Sequence, residues 1–169
     1  MNVTSYWADS ITLPAFAPLD RDLEVDVAVV GAGITGALKN MAFGNIQRVP
    51  QFHRGIHKNI ADIYNHELIK GKTRLVITDA LRCLYQGGPQ DRGPHKAINN
   101  MIMASTDPVS TDVAILDIVN GWRVKKKMKA LEDVKFPRRR PPQSIAEAAA
   151  LGLGIADKSK IEWLKKELS

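Results

Sequence analysis

Three carboxylates stand at positions where an open sheet could gather chemistry. Asp79 closes the apolar run "LVIT". Asp107 opens a helix directly after another strand-like stretch, and Asp112 falls within that helix's first turn and a half. Gly87 and Gly88, in "QGGP", would bring small-residue backbone to the same edge if the two strands are parallel neighbours. Acids converging in one crevice repel unless a cation or a shared proton relieves them. Such a cluster could therefore hold a divalent metal or a cationic or hydroxylated ligand, or act as an acid–base pair. Asp79, Asp107 and Asp112 are the expected catalytic set. The competing role is structural, with Asp107 as a helix cap and Asp112 as a favourable charge near the helix start.

A second constellation is the glycine loop of "VDVAVVGAGITGALKN" (25–40). In a dinucleotide fingerprint, Gly31 would make the tight turn, Gly33 would admit a pyrophosphate, and Gly36 would let the helix pack on the strand. The helix start would supply the anion site, with Lys39 and Asn40 close by. The fingerprint also needs a second strand ending in an acid about 20 residues on. That window reads "RVPQFHRGIHKN", with neither acid nor strand pattern. FAD or NAD binding through this loop is thus an alternative reading and not the expectation.

His53 and His57 are spaced i, i+4, which on a helix would put two imidazoles on one face for a metal. Gly55 between them weakens that helix. With Asp79 and Asp107 they complete the metal-ligand candidates. Cys83 is the one cysteine, which excludes an intrachain disulfide and a four-cysteine iron–sulfur cluster. After an apolar strand it is expected to be buried.

The elements that must position these residues follow from periodicity. "EVDVAVV" (24–30), "KTRLVITDAL" (72–81) and "INNMIMAS" (98–105) are expected strands. A short helix follows Gly36 and stops at Gly44. "IHKNIADIYNHELI" (56–69) puts Ile56, Ile60, Ile63 and Ile69 near one helical face. The segment 82–97 is an expected long loop. "TDPVSTDVAILDIVNG" (106–121) has Asp107 as N-cap, Pro108 at N1 and Gly121 just past the end. "SIAEAAALGLG" (144–154) opens with a capping box, Ser144 with Glu147. Residues 157–168 fit either a short helix or a terminal strand. Strands alternating with helices predict an α/β fold with a mostly parallel sheet covered by helices on both faces. Residues 1–23 form an irregular N-terminal arm, and 24–169 a single domain.

Two resemblances meet at the glycines. "SYWADSITLPAFAPLDRDLEVDVAVVGAGITG" (5–36) resembles the N-terminus of FAD-dependent oxidoreductases of the D-amino-acid oxidase type. That resemblance implies that Gly31, Gly33 and Gly36 face the flavin dinucleotide. From about residue 33 onward, "GITGALKNMAFG", "FHRGIHKNIADIY", "KTRLVITDALRCLYQGGP", "ASTDPVSTD" and "LGLGIADKSKIE" occur in the order found in the C-terminal half of the domain-of-unknown-function-362 family, which the chain resembles there. Some members of that family carry ferredoxin-type cysteine clusters; this sequence, with Cys83 alone, does not. The resemblance implies that a natural or artefactual fusion or fragment lacks the family's N-terminal half, which a partner chain or a homo-oligomer would supply.

The formal charge of +6 is concentrated in "WRVKKKMKALEDVKFPRRRPP" (122–142). A basic nucleic-acid-binding module is one further alternative. Scarce aromatics and the absence of a reading helix favour a solvated stretch instead. No apolar run approaches the roughly 18 residues of a membrane span, and no secretory signal pattern opens the chain. A cytoplasmic location is expected. The functional expectation is a domain binding a small molecule, anion or metal at the carboxyl ends of its strands, in a redox or metal-linked setting.

Overall fold

The computed structural model describes the backbone of residues 27–31 and all of residues 36–87, 93–134 and 143–167. The expected arm at 1–23, Gly33 and Gly88 lie outside the described residues. Three strands form one sheet in the order β1–β2–β3, with β1 at Val27–Gly31, β2 at Leu75–Leu84 and β3 at Lys96–Ser105. Among the described residues five helices accompany them: α1 (Ala37–Phe43), α2 (Ile56–Tyr64), α3 (Glu67–Lys70), α4 (Pro108–Lys125) and α5 (Ser144–Ala150).

The sheet is mixed, and this corrects the expected mostly parallel one. β1 and β2 run parallel, with Gly31 beside Asp79, but the long β2–β3 pair is antiparallel. The reason is the connection. A parallel crossover needs a dozen or more residues and usually a helix. The glycine- and proline-rich link between Leu84 and Lys96 is shorter than that, and its described residues hold one short 3-10 turn.

The helices also fail to cover both faces. On β2, Val76, Thr78, Ala80 and Cys83 are buried and point to the helical side. There Val76 joins Leu38, Met41, Ile60, Val109 and Ala148 in the main core. Burying such side chains contributes about 1.5–3 kcal/mol each. Cys83 packs with Ile115 and Val119 of α4 and with Met103 in a second cluster. On the other side, Ile98 and Ile102 are 68% and 66% exposed.

A β-bulge interrupts the β2–β3 ladder between Ala80 and Arg82, where Asn100 takes a φ of 50°. A bulge leaves backbone groups without ladder partners, and side chains supply them here. Asp79 Oδ1 accepts from the Leu81 N–H at 2.8 Å. Asn99 Nδ2 donates to the Ala80 carbonyl at 3.1 Å, while its Oδ1 accepts from the Trp122 indole at 3.0 Å.

Other boundaries shift for local reasons. The expected helix 56–69 is two helices, because His66 is extended and caps α3 by accepting from the Leu68 N–H at 3.2 Å. α4 runs through Gly121 to Lys125. The Ser144–Glu147 capping box does not form, since Ser144 is already helical and Gln143 holds the cap position. Residues 158–160 make a single 3-10 turn and no further helix or strand follows among the described residues.

Candidate functional site beyond the carboxyl end of β1

β1 ends at Gly31, and α1 begins six residues later, after Gly36. Gly36 has φ 67° and ψ 164°, a region open essentially to glycine alone. Its own first turn offers no side-chain cap. The cap comes from α4: the Asp112 carboxylate accepts the Ala37 N–H through Oδ1 in a short hydrogen bond and the Leu38 N–H through Oδ2 at 3.3 Å. A Cβ on Gly36 would stand 2.8 Å from both carboxylate oxygens.

Asp112 is 7% exposed. Burial pushes its carboxyl up to about 7, against the opposing pull of the Ala37 and Leu38 N–H groups. No cation pairs with it among the described residues. It is an acid able to hold or release a proton near neutrality, which is the condition for acid–base work. Thr78, on the helical face of β2, pairs in register with Val30, one rung before Gly31. Its hydroxyl is fully buried without a hydrogen-bond partner among the described residues.

The three expected acids do not share a crevice. Asp79 lies mid-strand, because β2 continues to Leu84, and it alternates with buried Thr78 and Ala80, so it faces away from the helices. Asp107 follows the end of β3, which pairs with Val76 near the amino end of β2. It caps α4, with Oδ1 accepting from Val109 at 2.7 Å and Ser110 at 3.0 Å. Its Oδ2 accepts the Ile155 N–H at 2.7 Å. Gly154 permits that approach, since a Cβ there would fall 2.1 Å from Asp107 Oδ1. Five residues of helix place Asp107 and Asp112 about 7.5 Å apart along α4 and roughly 140° apart around it. Gly87, at φ 82°, lies beyond the far end of β2 from Asp107.

The remaining candidates are separate as well. His53 precedes α2, and Gly55 at φ 78° breaks the backbone between it and His57, so the two do not share a helix face. His53 Nδ1 bonds the Val49 carbonyl at 3.1 Å. His57 Nδ1 is buried and unpartnered among the described residues; burial lowers its pKa, with Glu147 opposing. No group of three or more His, Cys, Asp or Glu side chains suited to a metal occurs among the described residues. Lys39 sits on α1, and the Asn40 amide folds back to the Gly36 carbonyl at 2.9 Å. The Cys83 thiol is buried and pushed up to about 11 by desolvation.

The basic stretch is not one uniform face. Arg123 turns inward, donating to the Lys129 carbonyl at 2.7 Å and the Tyr85 carbonyl at 2.9 Å. Lys125 lies 4.5 Å from the Trp122 ring centroid. Residues 135–142 lie outside the described residues. No helix among the described residues is long and apolar enough to cross a membrane.

Thr78 carries no motif and escapes sequence reading. Asp112 is among the expected acids, but its partners at 37 and 38 are not readable. The one available signal is Gly36, whose missing side chain marks a close approach by something.

No curated protein and no solved structure matches the chain. The profile of one family, described as a domain of unknown function (DUF362), matches residues 29–117. That span starts inside β1 and takes in the glycine turn, Asp79, Asp107 and Asp112. The turn assigned above to a flavoprotein-like arm thus falls within this match, and the D-amino-acid oxidase resemblance finds no support. With more than half of its residues matched, the chain belongs to the DUF362 family.

Proposed function

We propose that this domain binds a small amine-bearing or hydroxylated molecule beyond the carboxyl end of β1, with Asp112 as the acid–base group. The observation that carries the reading is a buried carboxyl poised near neutral pH, with no cation beside it among the described residues and with Gly36 packed against it. A positive or hydroxyl-bearing ligand would complement that charge. The unpartnered Thr78 hydroxyl is a second group that a polar ligand could satisfy. A redox or metal-linked setting draws no support from the described residues.

A dinucleotide reading is favoured by one relationship, the register of Gly31 with Asp79, which sets an acid on the neighbouring strand beside the last residue of β1. It is opposed by Asp112, whose carboxylate already takes the first N–H groups of α1 that a pyrophosphate would need. The reading favoured here is therefore a small molecule, ahead of FAD, NAD or nucleic acid.

The test is a titration with ethanolamine and with glycerol, followed by amide NMR at pH 7. Saturable shifts confined to Gly31, Gly36, Ala37, Leu38 and Thr78, and lost in Asp112→Asn, are expected. Shifts absent there with both probes would reject the site.

A further inference from the structure

The face of the sheet turned away from the helices carries its own pattern. Ile102 pairs with Asp79, and Ile98 pairs with Arg82, on either side of the bulge. All four side chains point outward, because Thr78, Ala80, Cys83 and Ala97 between them are buried. Arg82 has no ion-pair partner among the described residues, and Asp79 uses only one oxygen, toward the Leu81 N–H. The acid and the base do not pair with each other.

This arrangement is self-complementary. A two-fold axis parallel to the sheet but above its outer face, midway between the two copies, perpendicular to the strands and centred between the two pairs, reverses the strand direction. It sets Asp79 of one copy against Arg82 of the other, and Ile102 against Ile98. Both charge pairs and both isoleucine pairs form at once, as an isologous contact requires. Sheets that pack this way sit about 10 Å apart with interdigitated side chains.

We propose that this outer sheet face is a homodimer surface, its occupant a second copy of the chain packed face to face about that axis. A second copy is favoured over an unrelated apolar partner because the opposite charges stand at symmetry-related positions, where an apolar layer would leave both unpaired. The described face measures about 30 Å by 10–15 Å. That is below the standard interface of roughly 800 Å² per partner, so the dimer is a weak, reversible one.

Analytical ultracentrifugation of the full chain over micromolar concentrations tests this. The expected result is a reversible doubling of mass. Asp79→Arg and Arg82→Asp should each weaken association about tenfold or more, because like charges then face each other. An equimolar mixture of these two variants should dimerise, since every facing pair is then opposite in charge. Because Asp79 also serves the bulge, Ile98→Lys mixed with Ile102→Glu gives a second pair at exposed positions. Wild-type chain that keeps single-chain mass throughout overturns the proposal. So does a doubled wild type for which neither mixture restores association while the variants keep their fold by circular dichroism.

Discussion

Asp112 reaches across from α4 and holds the first two backbone N–H groups of α1, over a glycine with no room for a Cβ. Gly36 and Asp112 thus form one unit: the glycine makes the gap, and the carboxylate fills it. Gly36→Ala is expected to cost about 3 kcal/mol or more, combining a glycine-only backbone conformation with a forced shift of Asp112. Chemical denaturation checks it. A cost under 1 kcal/mol would show that the unit is loose.

The same carboxyl gives stability a pH dependence of known sign. Its folded value is about 7, above the ordinary aspartate value of 3.8. Between those values the folded state holds a proton that the unfolded state has lost. The contribution is complete below pH 3.8 and disappears as pH rises to about 7, a fall of roughly 4 kcal/mol at most. Asp112→Asn should flatten the stability profile between pH 4 and 7. An unchanged slope in the variant would assign the dependence elsewhere.

Asp107 is expected to separate capping from clamping. Asn caps a helix about as well as Asp, so a cap alone would tolerate Asp107→Asn. The Ile155 N–H, however, needs an acceptor where the Asn amide would place a donor. We expect Asp107→Asn to lose about 1–2 kcal/mol and to speed amide exchange at Ile155, with the α4 amides little affected. Equal exchange at Ile155 in both proteins would leave only the cap.

The Cys83 thiol, raised to about 11 by burial, is almost wholly protonated at pH 8. Native protein should react with a disulfide reagent only as fast as it opens, and at full rate in denaturant. Rapid native labelling would contradict the packing of Cys83 against Ile115 and Val119.

Local features of the fold are legible in the sequence; distant ones are not. The cap of α4 is readable because Asp107, Pro108, Val109 and Ser110 are neighbours. β2 and β3 are readable as strands, but their direction needs the link between them, and its shortness points to the antiparallel pair. The expected site at Asp79, Asp107 and Asp112 assumed a shared strand edge. β2 extends past Asp79, which turns that acid to the outer face, and β3 returns the chain to the opposite end. The fingerprint gives Gly36 the role of letting the helix pack on the strand; what stands against it is the Asp112 carboxylate of α4. No local pattern near residue 37 could reveal an acceptor 75 residues away.

That separation also has a meaning in time. A ribosome adding about 5–20 residues per second needs roughly 4–15 s to pass from Ala37 to Asp112. Through that interval α1 leaves the ribosome with its leading amides exposed to water, and the glycine turn before it has nothing to close on. The β1–α1 unit therefore matures late although it is made early, and the arrival of α4 is the event that completes it.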